Sequence, residues 1–237
     1  MLKIRNPAGL PYVLIGGQAV NYWAGRYLAS EPDLQKHIPF TSEDIDFCGN
    51  REDVRHIAGQ LNQMPAFPHK VAMTALAGAI PVRIGTADTS IEIVRTIPGV
   101  TTANVDALAV EMEWNGRTIR VLDPISLLIC KVELALTVLQ QKRQDVEHLR
   151  ILFFCVRGFL REWLQEVEAG RIPAKGWLGA VNRLLKMSKS KHGRKAAVRF
   201  RLSWLEILPL AEIAGAKNQK ISLFREKQLA PKRQSGN

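Results

Sequence analysis

A chain of 237 residues has material for one large domain or two small ones with a real core, and 46% hydrophobic with 23% charged residues argues against disorder. No apolar run reaches the ~18 residues of a membrane span, and Cys48, Cys130 and Cys155 lack Cys-x-x-Cys or Cys/His spacing, which excludes a structural zinc finger and suits a reduced, cytoplasmic protein. The net charge of +11 is lopsided: residues 1–168 carry 17 Lys+Arg against 19 Asp+Glu, and residues 169–237 carry 16 against 3.

The segment "LPYVLIGGQAV" behind Lys3 and Arg5 has the outline of a short signal peptide, but "GGQ" and "NYWAGRY" break its apolar run. The better reading of "PYVLIGG" is a buried strand ending in a tight turn at paired glycines. Apolar residues at helical spacing (Ala19, Val20, Trp23, Tyr27) then predict a helix that ends at Glu31-Pro32. Residues 32–42 read as a loop, "DIDF" as a second strand, and "REDVRHIAGQLNQM" as an amphipathic helix. A proline-punctuated stretch over 65–81 precedes the strands "VRIG" and "IEIV". "ALAVEMEW" and "RTIRVL" form a hairpin across Asn115-Gly116, a favoured two-residue turn. Asp123 followed by Pro124 caps a helix over 124–140. Further helices are expected over about 144–167, 176–187 and 194–214. The fold class is α+β: a small mixed β-sheet core with flanking helices over 1–122, then an all-helical region over 123–237 with a basic C-terminal portion.

Chemistry concentrates at "TSEDIDF". Residues i and i+2 of a strand share a side, so Asp44 and Asp46 project together while Ile45 faces the core. Two carboxylates ~6.6 Å apart along the chain converge on a hard cation, and without one they repel and push each other toward protonation. Gly16-Gly17 ends a strand and opens a helix, where backbone N–H groups and the helix dipole favour a phosphate. In "SIEIV", Glu92 stands between two isoleucines on a strand that should be buried, and needs a partner or a metal.

Together, "VLIGGQAVNYWAGRY…FTSEDIDF" resembles the signature of the DNA polymerase β-type nucleotidyltransferase superfamily. There a Gly-Gly or Gly-Ser turn opens a helix, a strand with alternating aspartates follows, and a third carboxylate lies on a later strand, as "IEIV" does here. More narrowly, the chain is similar to bacterial nucleotidyltransferases related to abortive-infection toxins, through Lys131 in "PISLLICKVELAL" and Asp145 in "KRQDVEHLRIL". The resemblance covers about residues 10–155. It implies that Gly16 and Gly17 cradle NTP phosphates and that Lys131 contacts the triphosphate. Asp44, Asp46 and Glu92 would be the catalytic and metal-binding carboxylates for Mg²⁺ or Mn²⁺, Glu92 also helping to deprotonate the attacking hydroxyl. Three features depart from the pattern. The interval from Gly17 to Asp44 is long, residues 30–40 reading as an insertion. The third acid is Glu, and His148 occupies the second acid of a D-x-x-D-like element.

The five histidines (His37, His56, His69, His148, His192) are scattered without metal spacing and read as ordinary. No G-x-S-x-G, H-E-x-x-H or P-loop pattern is present, which removes hydrolase, zinc-protease and P-loop readings. Trp163, Trp177 and Trp204 are expected in the core of the helical part.

The run "RLLKMSKSKHGRKAAVRFR", residues 183–201, lies inside an acid-free stretch from Ala169 to Leu205. Lys186, Lys189, Lys191, Arg194, Lys195, Arg199 and Arg201 are its candidate nucleic-acid ligands. It suits RNA such as a tRNA acceptor end, or equally an acidic protein partner such as an antitoxin. The expected activity is Mg²⁺-dependent transfer of an NMP from an NTP to a hydroxyl on RNA, with a catalytically silent nucleic-acid-binding module, or transfer to a protein or small molecule, as alternatives.

Overall fold

The computed structural model describes residues 3–69, 71–141 and 143–229. Strand β1 (Val13–Ile15) runs directly into helix α1 (Gly16–Tyr27), and a 3-10 turn over Pro32–His37 precedes β2 (Ile45–Cys48) and α2 (Arg51–Leu61). Strands β3 (Leu76–Ile84) and β4 (Ala87–Val94) form a hairpin, and α3 (Thr102–Leu108) leads into the hairpin of β5 (Ala109–Trp114) and β6 (Arg117–Leu122). After α4 (Pro124–Thr137) and α5 (Asp145–Glu168) come α6 (Ala174–Lys189), α7 (Lys191–Phe200), α8 (Leu210–Gly215) and α9 (Gln219–Phe224). None of the described helices is long and apolar enough to cross a membrane.

The strands make one six-stranded mixed sheet in the order β3-β4-β2-β1-β6-β5. β1 pairs antiparallel with β2 and parallel with β6, and β2 pairs parallel with β4. Local chemistry sets the boundaries. Asn115 and Gly116 both take positive φ (49° and 70°), the conformation that matches the twist of a tight hairpin. Asn50 accepts the N–H groups of Glu52 and Asp53 while Asp53 accepts that of Asn50, a complete capping box for α2. Asp123 accepts the N–H groups of Ile125 and Ser126, with Pro124 at the first helical position of α4.

Four expectations are corrected. The strand expected at "VRIG" begins earlier, at Leu76, so β3 takes in the end of the proline-punctuated stretch 65–81 and carries Pro81 in its middle. β3 is an edge strand, and an edge has one unpaired side where a residue without an N–H is tolerated. Residues 107–108 belong to α3 rather than to the hairpin. Residues 32–42 contain the 3-10 turn. The helix expected over 194–214 is two helices: Arg201 takes φ +54° and closes α7, and Pro209, which has no N–H to give, stands before α8.

The chain divides into two compact units, Met1–Leu152 and Phe153–Asn237, with the boundary inside α5. The 122/123 division marks a different feature, the end of the last strand at Leu122. In the first unit Ile45, Phe47, Ile91 and Ile93 of β2 and β4 pack with Val54, Ile57 and Ala58 of α2. Within the second unit Trp177 is fully buried, donates Nε1–H to the Leu160 carbonyl and meets Phe224 edge-on at 6.0 Å. Trp163 and Trp204 are half-buried.

Candidate active-site cleft

The alternation that buries Ile45 and Phe47 against α2 turns the residues between them to the other side of the sheet. Asp46 lies in register with Glu92 across the parallel β2–β4 pair, and Ser90, two residues before Glu92, donates to Asp44 Oδ1 at 2.8 Å. Asp46 and Glu92 on adjacent strands, and Asp44 in the bend just before β2, therefore share one side. Their fields overlap. Burial pushes the Asp46 carboxyl up to about 6, with the Asp44 charge adding to the rise and Lys131 opposing it. Glu92 is raised as well, by burial and then by Asp44 and Asp46.

The paired glycines meet this group from β1. Ile15 pairs with Asp46 across β1 and β2, so the next residue, Gly16, arrives over the carboxylate. Gly16 has φ +65°, and a Cβ there would sit 1.8 Å from Asp46 Oδ2. The Gly17 N–H donates to the Asp46 carboxylate. Helix α1 has no side-chain cap at Ile15, and Asp46 fills that role from a neighbouring strand. A Cβ on Gly17 would lie 2.4 Å from Ser42 Oγ and 2.9 Å from His148 Cε1, so this turn is closed on both sides.

A cleft of about 150 Å³ opens beside the turn, lined by Gly17, Asp44, Asp46, Lys131, Arg143 and His148 among others. Lys131 is buried, and its Nζ donates to Asp145 Oδ1 at 2.7 Å, while Arg143 Nε donates to Asp145 Oδ2 at 2.6 Å. Burial alone would raise the Asp145 carboxyl, but Lys131 and Arg143 outweigh it and hold the group below the usual carboxylate range. One side of the cleft is thus anionic and the other is a cation pair held by a buried acid. A larger apolar cavity of about 250 Å³, lined by Tyr12, Leu14, Phe47 and Trp114, lies against the opposite side of β1 and β2. Its lining carries no carboxylate.

Among the residues singled out in the sequence, Gly16, Gly17, Asp44, Asp46, Glu92 and Lys131 come together around this cleft or on the strand next to it. The Gly17 N–H is engaged by Asp46 rather than turned to an open phosphate site. Lys186, Lys189, Lys191, Arg194, Lys195, Arg199 and Arg201 all lie in the second unit, on α6, α7 and the residue after α7, and all are exposed. Arg143, Ser42, Gln144 and His148 were not expected in the site. His148 was within reach of sequence reasoning, because it follows Asp145 by three residues on one helix and so shares its face. Arg143, in the loop before α5, offered no such spacing.

No group of three His, Cys, Asp or Glu side chains among the described residues is gathered to hold a metal ion. The donor chemistry of Asp44, Asp46 and Glu92 nevertheless fits a hard divalent cation: all ligands are carboxylate oxygens, and two of the groups are raised by burial and by one another's charge. Compared with protein-family models and with curated proteins, the chain finds no match in either.

Proposed function

We propose that the protein is a Mg²⁺-dependent nucleotidyltransferase of the DNA polymerase β type, moving an NMP from an NTP to a hydroxyl, with RNA as the acceptor. The observation that carries this reading is the meeting of Asp46 with the Gly16-Gly17 turn on one side and Glu92 on the other. Polyphosphate needs a cation-bearing wall, and Lys131 with Arg143 provides one in the same cleft. Asp44, Asp46 and Glu92 would hold Mg²⁺ or Mn²⁺, which when bound neutralises charge on phosphoryl oxygens.

In the transfer, the acceptor oxygen forms a bond to the α-phosphorus, the bond from that phosphorus to the bridging oxygen breaks, and pyrophosphate leaves with the electron pair. The hydroxyl proton goes to Glu92, whose raised affinity for protons suits a base. Positioning and charge neutralisation would supply the acceleration, without a covalent enzyme intermediate.

A second reading keeps the fold and drops the chemistry: a nucleic-acid-binding module working through the basic helical C-terminal region. The seven exposed cations on and after α6 and α7 favour it. The same surface also suits an acidic antitoxin. Transfer of α-labelled NTPs, each tested separately with Mg²⁺ on small cellular RNA, decides between the readings. Label in RNA that disappears with Asp46→Asn supports the transferase. RNA binding without label in RNA, protein or small-molecule acceptors leaves the binding module.

A further inference from the structure

Among the buried polar atoms without a hydrogen-bond partner, Nδ1 of His148 belongs to a residue that lines the cleft. His148 is 5% exposed. The other ring nitrogen, Nε2, faces the Thr41 carbonyl at 3.3 Å. A carbonyl oxygen only accepts, so the proton of a neutral ring belongs on Nε2 and Nδ1 is left as a lone pair. The ring is neutral near pH 7: burial, then the charge of Lys131, pulls its pKa down to about 4, against smaller opposing effects of Thr41, Asp145 and Glu147.

The ring is also fixed in place. Its Cε1 occupies the space that a Gly17 side chain would take. Thr41 is held to the start of α5 a second time by Gln144, at 3.1 Å, and His37 pairs with Glu147 at 2.5 Å. The long segment between α1 and β2 therefore makes three contacts with the start of α5, one of them to the imidazole itself. A buried acceptor without a donor is costly, and proteins keep few of them. His148 lines the cleft, and its Nδ1, with no donor inside the protein, is left to take one from what enters there.

We infer that His148 is a specificity residue whose Nδ1 accepts a hydrogen bond from a hydroxyl of the bound substrate. Phosphate oxygens are acceptors and cannot serve, so His148 complements Lys131 and Arg143 rather than duplicating them. The hydroxyl belongs either to the nucleotide sugar or to the acceptor end. This rests on the nucleotidyltransferase reading.

Two substitutions separate the ring's two nitrogens. His148→Gln reaches Thr41 with an amide N–H and removes the acceptor at Nδ1, whereas His148→Asn puts a carbonyl oxygen near the Nδ1 position and gives up Thr41. Both are first checked for a melting temperature close to that of the wild type. Binding is measured with the tightest of the four NTPs and its 2′-deoxy and 3′-deoxy analogues, and with RNA carrying a 3′-hydroxyl or a 3′-deoxy end. If the sugar is the source, the wild type prefers the ribonucleotide by roughly tenfold, the worth of one hydrogen bond. His148→Gln then loses that preference and His148→Asn keeps much of it. If the acceptor is the source, nucleotide affinities stay level and His148→Gln weakens binding of the hydroxyl-ended RNA alone. Equal behaviour of His148→Gln and wild type in both arms overturns the inference while leaving the transferase reading intact. A wild type that binds no NTP overturns both.

Discussion

A methyl group on Gly16 would stand 1.8 Å from Oδ2 of Asp46, and the backbone there already sits at φ +65°. Two independent costs coincide at this one position: a left-handed conformation that side chains resist, and a carboxylate with no room to retreat without losing the Gly17 N–H. Gly9 supplies the comparison, having φ +77° with nothing within 4 Å of its missing Cβ. Gly16→Ala should lower unfolding stability by about 2–4 kcal/mol, and Gly9→Ala by about 1 kcal/mol. Urea unfolding of the two variants measures this. Equal losses would mean that the carboxylate does not confine the turn.

Asp46 should also make stability depend on pH. Its folded pKa, about 6, lies above the ordinary aspartate value. Between pH 4 and 6 the native Asp46 therefore holds the proton that the unfolded chain releases, and this group's contribution to stability falls as pH rises through that window. Above it the carboxylate costs the fold about 2–3 kcal/mol. Asp46→Asn keeps an oxygen for the Gly17 N–H, so it should be the more stable protein at pH 7.5 and lose its advantage below pH 4. Added Mg²⁺ should raise the melting temperature of the wild type and leave Asp46→Asn nearly unmoved. His148, held down to about 4, contributes in the opposite direction over the same window, so the test is the difference between the two proteins: a gap between wild type and Asp46→Asn that stays constant from pH 4 to 7 would remove the electrostatic basis of the site.

The strand that bears Asp46 was legible because alternation is a local signal. Asp44-Ile45-Asp46 already states which side chains face α2, and β4 repeats the pattern at Ile91-Glu92-Ile93, which pairs with it in register. The Gly-Gly turn was legible for the same reason. What joins them was not: the pairing of Ile15 with Asp46 is a contact between residues about thirty positions apart, and no local pattern carries it. Likewise Lys131 could be placed on a helix, but its partner Asp145 comes from another helix across a loop. Pro81 disguised β3, because proline weighs against a strand unless the strand is known to be an edge.

Asp145 should make the opposite contribution to that of Asp46. Its folded pKa is held down, so its stabilisation is complete above the unfolded value, ~3.9, and disappears as pH falls through the lower folded value. Asp145→Asn leaves Lys131, which is buried, and Arg143 facing a neutral amide. Breaking a buried pair from one side costs about 3–5 kcal/mol. Lys131→Met should cost less, since Arg143 and Gln140 still reach the carboxylate. Thermal unfolding at pH 7 ranks the two variants, and repeating it between pH 5 and 2 should show the acid-sensitive part missing from Asp145→Asn. The reverse ranking would mean that Lys131, not Asp145, is the centre of the network.

The basic helix offers a test that does not depend on catalysis. Lys191, Arg194, Lys195 and Arg199 recur at helical spacing on α7 and are exposed, whereas Gly193 and Ala196 between them are buried. The face is continuous, and Val198 on it is 83% exposed. Replacing the four cations with alanine keeps the helix-forming tendency of α7 and removes only charge. If this face takes the phosphates of RNA, wild-type affinity should fall linearly on a logarithmic salt scale, each neutralised phosphate of a single strand adding about 0.7 to the slope. The fourfold variant should bind more weakly at low salt and show a slope smaller by up to about 3. Filter binding of a short single-stranded RNA between 50 and 300 mM salt gives both quantities. An unchanged slope would take α7 out of the RNA interface and direct attention to an acidic protein as its partner. A reduced slope with label transfer intact would show that recruitment and chemistry are borne by different units of the chain.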